Sequence, residues 1–209
     1  MATTRKGQTG LNGTSPGSVN GALRSRRRAD MVAIAADLFA QKGYRATTVR
    51  EIADAAGILS GSLYHHFDSK ESIGDEILSS FINDVLADYR AAAASGGSPR
   101  EVLQQIVRST SRTLARHRPA LAMLQNDWSY FSGQPRFGYL RKAVGEIERT
   151  WITQLERGKE TGLDPKDIRR ELTELWRSSA DGQAFQEAIE QVADAILRLL
   201  FDGILSRAA

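Results

Sequence analysis

The stretch from Thr47 to Phe67 (Thr-Thr-Val-Arg-Glu-Ile-Ala-Asp-Ala-Ala-Gly-Ile-Leu-Ser-Gly-Ser-Leu-Tyr-His-His-Phe) limits the possible folds more than any other part of the chain. Val49, Ile52, Ala53 and Ala56 form one helical face that ends at Gly57, and Leu63 and Phe67 resume an apolar face after Ser60. Glycine accepts the positive φ of a tight inter-helix turn, which residues carrying a Cβ resist. Ala53 is small where a second helix must cross closely, and Ile52, Leu63 and Phe67 form the wedge that sets the crossing. Either Thr47 or Thr48 can cap the first of these helices, and Thr48 followed by Glu51 fits a capping box. The pattern is a helix-turn-helix.

Leu59, Ser60, Gly61, Ser62, Tyr64 and His65 remain on the outside of the second helix, which leaves its leading end small, polar and nearly uncharged. A helix that enters a major groove needs a slim tip with hydrogen-bonding side chains. Thr47 and Thr48 at one helix start, Tyr64 on the rim and Lys70 at the next helix start are candidate phosphate contacts. Arg27 and Arg50 complete the expected DNA-contact set. His66 is expected to pack against the first helix. His65, His66 and Asp68 do not share a helix face, so no metal site and no cofactor are expected.

Charge placement agrees with a polyanion partner. Residues 1–29 carry Arg5, Lys6, Arg24, Arg26, Arg27 and Arg28 and no acid. Of 28 Lys and Arg in the whole chain this leaves 22 against 25 acidic residues, so a basic arm precedes a mildly acidic body. That distribution suits contact through one end of the molecule. A non-specific nucleoid protein would carry a larger basic excess.

Residues 1–21, rich in Gly, Ser, Thr and Asn, read as a disordered tail. The rest of the chain reads as all-α, with about nine helices. The first is expected over about Arg24–Lys42, with Met31, Ile34, Ala35, Leu38 and Phe39 on one face and Gly43 as its stop. The two short helices of the helix-turn-helix follow. Ser69 caps the fourth, which runs to about Ala94. Five more are expected over about Arg100–His117, Ala120–Phe131, Pro135–Thr161, Pro165–Ala180 and Ala184–Ser206. The last carries a wide stripe of Ile189, Val192, Ala193, Ile196, Leu199, Leu200 and Ile204, an expected oligomer interface. The expected division is a DNA-binding domain over 22–70 and an effector-binding and dimerisation domain over 71–209. No window approaches 18 uncharged apolar residues, so no membrane span is expected. With no Cys there is no disulfide framework, and a cytoplasmic setting is expected.

The aromatic residues of the second domain point to a binding site for a small molecule. Trp128, Phe131, Phe137, Trp151 and Trp176, with Arg141 for an anionic group, are the expected effector-binding residues. Phosphate-loop, dinucleotide, nucleophile-elbow and zinc-helix motifs are absent, so no enzyme is expected. The alternative is a helical small-molecule-binding protein or enzyme in which the N-terminal helices are only structural. Such a protein has no reason to keep the outer face of the third helix small and polar beside a basic arm.

From Arg27 to Glu76 the ordered set Leu38-Phe39, Gly43-Tyr44, Thr47-Thr48-Val49, Ile52-Ala53, Ala56-Gly57, Leu63-Tyr64-His65-His66-Phe67 and Ser69-Lys70-Glu71 resembles the TetR-type transcriptional regulators. The resemblance implies an all-helical homodimer that binds a palindromic operator through its three N-terminal helices. It also implies a C-terminal domain that binds a small effector and dimerises through the last two helices, with repression relieved by the ligand. Gln125, Gln134-Pro135-Arg136-Phe137, Tyr139 and Trp151 are similar to actinobacterial members that regulate lipid and steroid breakdown. That narrower resemblance implies an acyl-CoA or other hydrophobic acid as effector.

Overall fold

The computed structural model describes residues 16–179, all of whose regular elements are helical. The expected last helix, Ala184–Ser206, and its apolar stripe lie outside the described residues. Among the described residues there are eight α-helices: α1 (Pro16–Lys42), α2 (Val49–Ala55), α3 (Ser60–Tyr64), α4 (Lys70–Ala94), α5 (Pro99–Arg116), α6 (Arg118–Gly133), α7 (Gly138–Glu160) and α8 (Pro165–Ser179). A 3-10 turn, Pro135–Phe137, joins α6 to α7. No helix among the described residues is long and apolar enough to cross a membrane.

Local chemistry explains the boundaries. Thr48, Ser69 and Ser98 each accept from the backbone N–H three residues on, in reciprocal capping boxes that begin α2, α4 and α5. Gly43 and Gly57, at φ +88° and +66°, stop α1 and α2 as left-handed residues that lack a Cβ to clash. One expectation is corrected. Helix α1 begins at Pro16, so residues 16–21, read as tail, are helical. Proline suits a first helical turn, and extending an existing helix avoids the cost of nucleation even without an apolar face to bury.

Helix α4 is the spine. Its buried face runs from Ile73, Ile77 and Phe81 to Val85, Tyr89 and Ala92, and the helix packs against α1, α5 and α7. One apolar cluster therefore runs without a break from Phe39, Ile52 and Leu63 at the N-terminal end to Ile106, Leu140 and Leu172. Gly74 belongs to this seam. A Cβ there would sit 3.0 Å from Tyr44 Cε2 and 3.3 Å from Met123 Cε. Gly74→Ala should destabilise by up to about 2 kcal/mol, because overpacking of about 1–3 kcal/mol outweighs the roughly 1 kcal/mol of helix propensity gained. A urea melt showing a gain in stability would mean that the Tyr44 ring yields freely.

Candidate nucleic-acid interface

The reading motif is built from short-range bonds. Thr48 Oγ1 accepts from Glu51 N–H at 3.2 Å, and Glu51 Oε2 accepts from Thr48 N–H at 2.8 Å. Lys42 Nζ donates to Glu51 Oε1 at 2.8 Å, which ties the end of α1 to α2. These bonds, Lys42 foremost, hold the Glu51 carboxyl down at about 2. At the turn, Ile58 N–H donates to Ala53 O at 3.0 Å and Gly57 N–H to Asp54 O at 3.1 Å. This crossed pair is a Schellman closure, which only a left-handed residue at position 57 allows. Ile52, Ala53, Leu63 and Phe67 are buried together beneath the turn.

What the turn leaves outside is the leading end of α3. Leu59 is 80% exposed and Tyr64 55% exposed, Gly61 and His65 are exposed, and Ser60 and Ser62 are half-buried. A Cβ on Gly61 would meet nothing within 4 Å, so no packing inside the chain demands glycine there. Its smallness clears the outer face. Arg27, with Arg24 and Arg26, is exposed on α1. Arg50 is exposed as well, held only by a 3.8 Å surface pair with Asp54 that contributes little. Arg45, which the sequence reading did not include, is exposed in the α1–α2 turn. Its signal was a cation beside the helix start at Thr48.

One expected contact is corrected, and two others have partners within the chain. Thr47 is 1% exposed and its hydroxyl donates inward to Gly43 O at 2.9 Å. It closes the α1–α2 turn and cannot reach a phosphate. Thr48 is exposed, but its hydroxyl donates to Glu51 Oε2 at 2.9 Å. Lys70 folds back, with Nζ donating to Tyr44 O and Thr47 O at 3.0 Å each and lying 4.6 Å over the Tyr44 ring. Carbonyl oxygens and an aromatic face hold that cation inside the chain. Arg28, part of the basic arm in sequence, also turns inward. It forks onto Glu76, donates to the His66 carbonyl and stacks 4.1 Å over Phe67. That bond ties the His66 backbone to α1.

The expected effector residues do not gather around one space among the described residues. Phe131 and Phe137 are fully buried with their ring centroids 4.9 Å apart, and Phe131 lies 4.8 Å from Tyr44. They form the seam between α6 and the α1–α2 turn. Trp151 is 1% exposed, and its Nε1–H donates to the Tyr89 hydroxyl at 3.0 Å in the body. Burial pushes that hydroxyl's pKa up to about 12, so it stays protonated. Trp128 is 40% exposed and Arg141 is exposed, both on the surface. Trp176 lies on α8, and its side chain is outside the described residues. Among these rings, Phe131, Phe137 and Trp151 are packed inside the chain. A cleft of about 380 Å³ does lie between α1, α4 and α6, lined by Val32, Ala36, Ile77, Arg116, His117 and Ala120 among others. It contains none of the expected effector residues.

Comparisons with known proteins agree with this geometry. Residues 32–77, from α1 to the first turns of α4, match the bacterial regulatory proteins of the tetR family. The chain is 38% identical over 200 residues to the HTH-type transcriptional repressor KstR2 of Rhodococcus jostii, covering 92% of this chain and 98% of that one. Among solved structures, the probable transcriptional regulatory protein RHA5900 superposes with a TM-score of 0.66 at 39% identity, covering 84% of this chain and 97% of that one. The ketosteroid transcriptional regulator KstR2 of Mycobacterium tuberculosis superposes with a TM-score of 0.65 at 35% identity, covering 82% and 93%.

Proposed function

The chain belongs to the TetR family of bacterial regulatory proteins and is a DNA-binding transcriptional repressor rather than an enzyme, and from this we propose how its residues divide the work. Leu59, Ser60, Gly61, Ser62, Tyr64 and His65 read base edges in the major groove. Arg27, Arg45 and Arg50 hold the flanking phosphates. Two copies form a homodimer, which sets their α3 helices about 34–36 Å apart, one helical turn, on a palindromic operator. The protein works where its operator is, in the cytoplasm.

One observation carries this reading. The α3 tip is clear of the chain's own packing, and Gly61 in particular leaves open space where any side chain would fit. The binding test is fluorescence anisotropy against a duplex selected by the wild-type chain from a randomised library. Tyr64→Ala should weaken binding by about 1–3 kcal/mol, the scale of one good contact in such interfaces. Unchanged affinity would remove Tyr64 from the interface.

The effector belongs to the same proposal. Similarity over nearly the whole chain to KstR2 repressors, one of them described as a ketosteroid regulator, supports a hydrophobic acid carried as its acyl-CoA thioester. Bound in the C-terminal body, it favours a dimer geometry in which the two α3 tips no longer match successive grooves, with α4 as the link because it runs through both regions. Titrating a steroid-ring CoA thioester, the free acid and CoA alone into the operator complex tests this. Release by the thioester supports it, and release by none of the three overturns it.

A further inference from the structure

We infer that Asp127 is a positioning residue that sets the angle of the reading head against the body, through the backbone of Tyr44. The inference begins with how α1 ends. Gly43 N–H donates to Phe39 O at 2.9 Å, the single-bond left-handed closure that leaves the next amide unpaired within α1. That amide belongs to Tyr44, and it donates to Asp127 Oδ2 at 2.8 Å across 83 residues of sequence. Asp127 is the one residue of α6 with non-helical angles, φ −124° and ψ +23°. The helix kinks at the residue whose carboxylate leaves it to reach the turn. The proline of α6, Pro119, lies in its first turn, so a break at position 127 needs such a local cause.

The Tyr44 backbone is gripped on both sides of its Cα. Its N–H is held by α6, while its C=O accepts from Lys70 Nζ at the first residue of α4. The same Nζ also holds Thr47 O, next to the N-cap of α2. The Tyr44 ring sits 4.8 Å from Phe131 and 5.4 Å from Tyr130, which lie beyond the kink on α6. The α1–α2 turn is thus fastened to two helices of the body within four residues of the reading motif. A shift of the second half of α6 relative to α4 must move the turn, and α2 and α3 with it. A hydrogen bond to a carboxylate is stronger and shorter than a neutral one, which suits a part that must transmit small displacements.

This role rests on the operator-binding reading above, so its test separates the two. The chain has no cysteine, and Asp54→Cys on α2 with Arg112→Cys on α5 places one spin label on the head and one on the body. Their distance distribution, measured in labelled chain diluted with unlabelled chain, needs no DNA. Asp127→Ala should broaden or shift that distribution and lower affinity for the selected duplex about tenfold, with a small change in melting temperature. Asp127→Asn, which keeps an acceptor oxygen, should restore most of both. If Asp127→Ala does not fold, Asp127→Glu takes its place with the same expectations, since its carboxylate stands one methylene too far out. A distance distribution like the parent's overturns the inference, as does an affinity loss that merely follows a fallen melting temperature. Failure of the unsubstituted chain to select any duplex would instead overturn the operator reading and leave the label distances to decide the role of Asp127.

Discussion

Trp151→Ala is expected to lower the stability of the folded chain by about 3–5 kcal/mol, the usual cost of removing a large buried aromatic. The indole is 1% exposed and fills the space where α7 packs on α4 and α5. Its loss leaves a cavity and removes the donor that meets the Tyr89 hydroxyl at 3.0 Å. For a chain of this size the change corresponds to a fall in melting temperature of roughly 6–20 °C. Trp151→Phe keeps most of the ring and loses the donor, so about 1–2 kcal/mol is expected. Both variants should bind the selected duplex normally at temperatures where they are folded, because the residue lies in the body. Calorimetry showing Trp151→Ala as stable as the parent would mean that the site collapses without a cavity.

Gly57→Val should cost about 2–3 kcal/mol and damage operator binding beyond its effect on stability. A Cβ at position 57 would meet nothing within 4 Å, so the cost comes from the backbone alone. At φ +66° a β-branched residue is strained, and asparagine, which tolerates this region better, should cost only about 1 kcal/mol. The strain is relieved by returning φ to negative values. That breaks the bonds from Gly57 N–H to Asp54 O and from Ile58 N–H to Ala53 O, and swings α3 away from its place. Losing even one base or phosphate contact costs about 1–3 kcal/mol, so affinity should fall at least about fivefold in the fraction that remains folded. Urea melts with anisotropy on the same samples separate the two effects. Wild-type affinity in Gly57→Val would show that the angle between α2 and α3 does not matter for binding.

The features legible in the sequence are those decided within one turn of chain. The Thr48–Glu51 capping box, the Ser69 cap and the stops at Gly43 and Gly57 all involve partners no more than five residues apart. The 3.6-residue repeat of α4 and the wedge of Ile52, Leu63 and Phe67 follow from the same local periodicity. Where the reading failed, adjacent or similar residues had opposite fates. Thr47 and Thr48 are neighbours of one type, yet the hydroxyl of Thr47 closes a turn and that of Thr48 caps a helix. Arg27 and Arg28 are neighbours too, but only Arg28 lies on the side of α1 that faces Glu76 and Phe67. Phe131 and Phe137 were read as effector-binding residues, whereas their place in the seam with Tyr44 depends on where α1 ends in space.

The amino-acid order alone determined that this chain is helical, where its reading motif lies and which small residues keep the tip of that motif slim. Hydrogen-bonding patterns and helix periodicity act over a few residues, so they are written directly in the sequence. Only the tertiary structure decided which cations turn inward, which rings seal the seam and how α6 takes hold of Tyr44. Those outcomes join residues dozens of positions apart, such as Tyr44 with Asp127 and Arg28 with Glu76. A side chain's charge or size says what it can do, but its partner is set by the packing of whole helices.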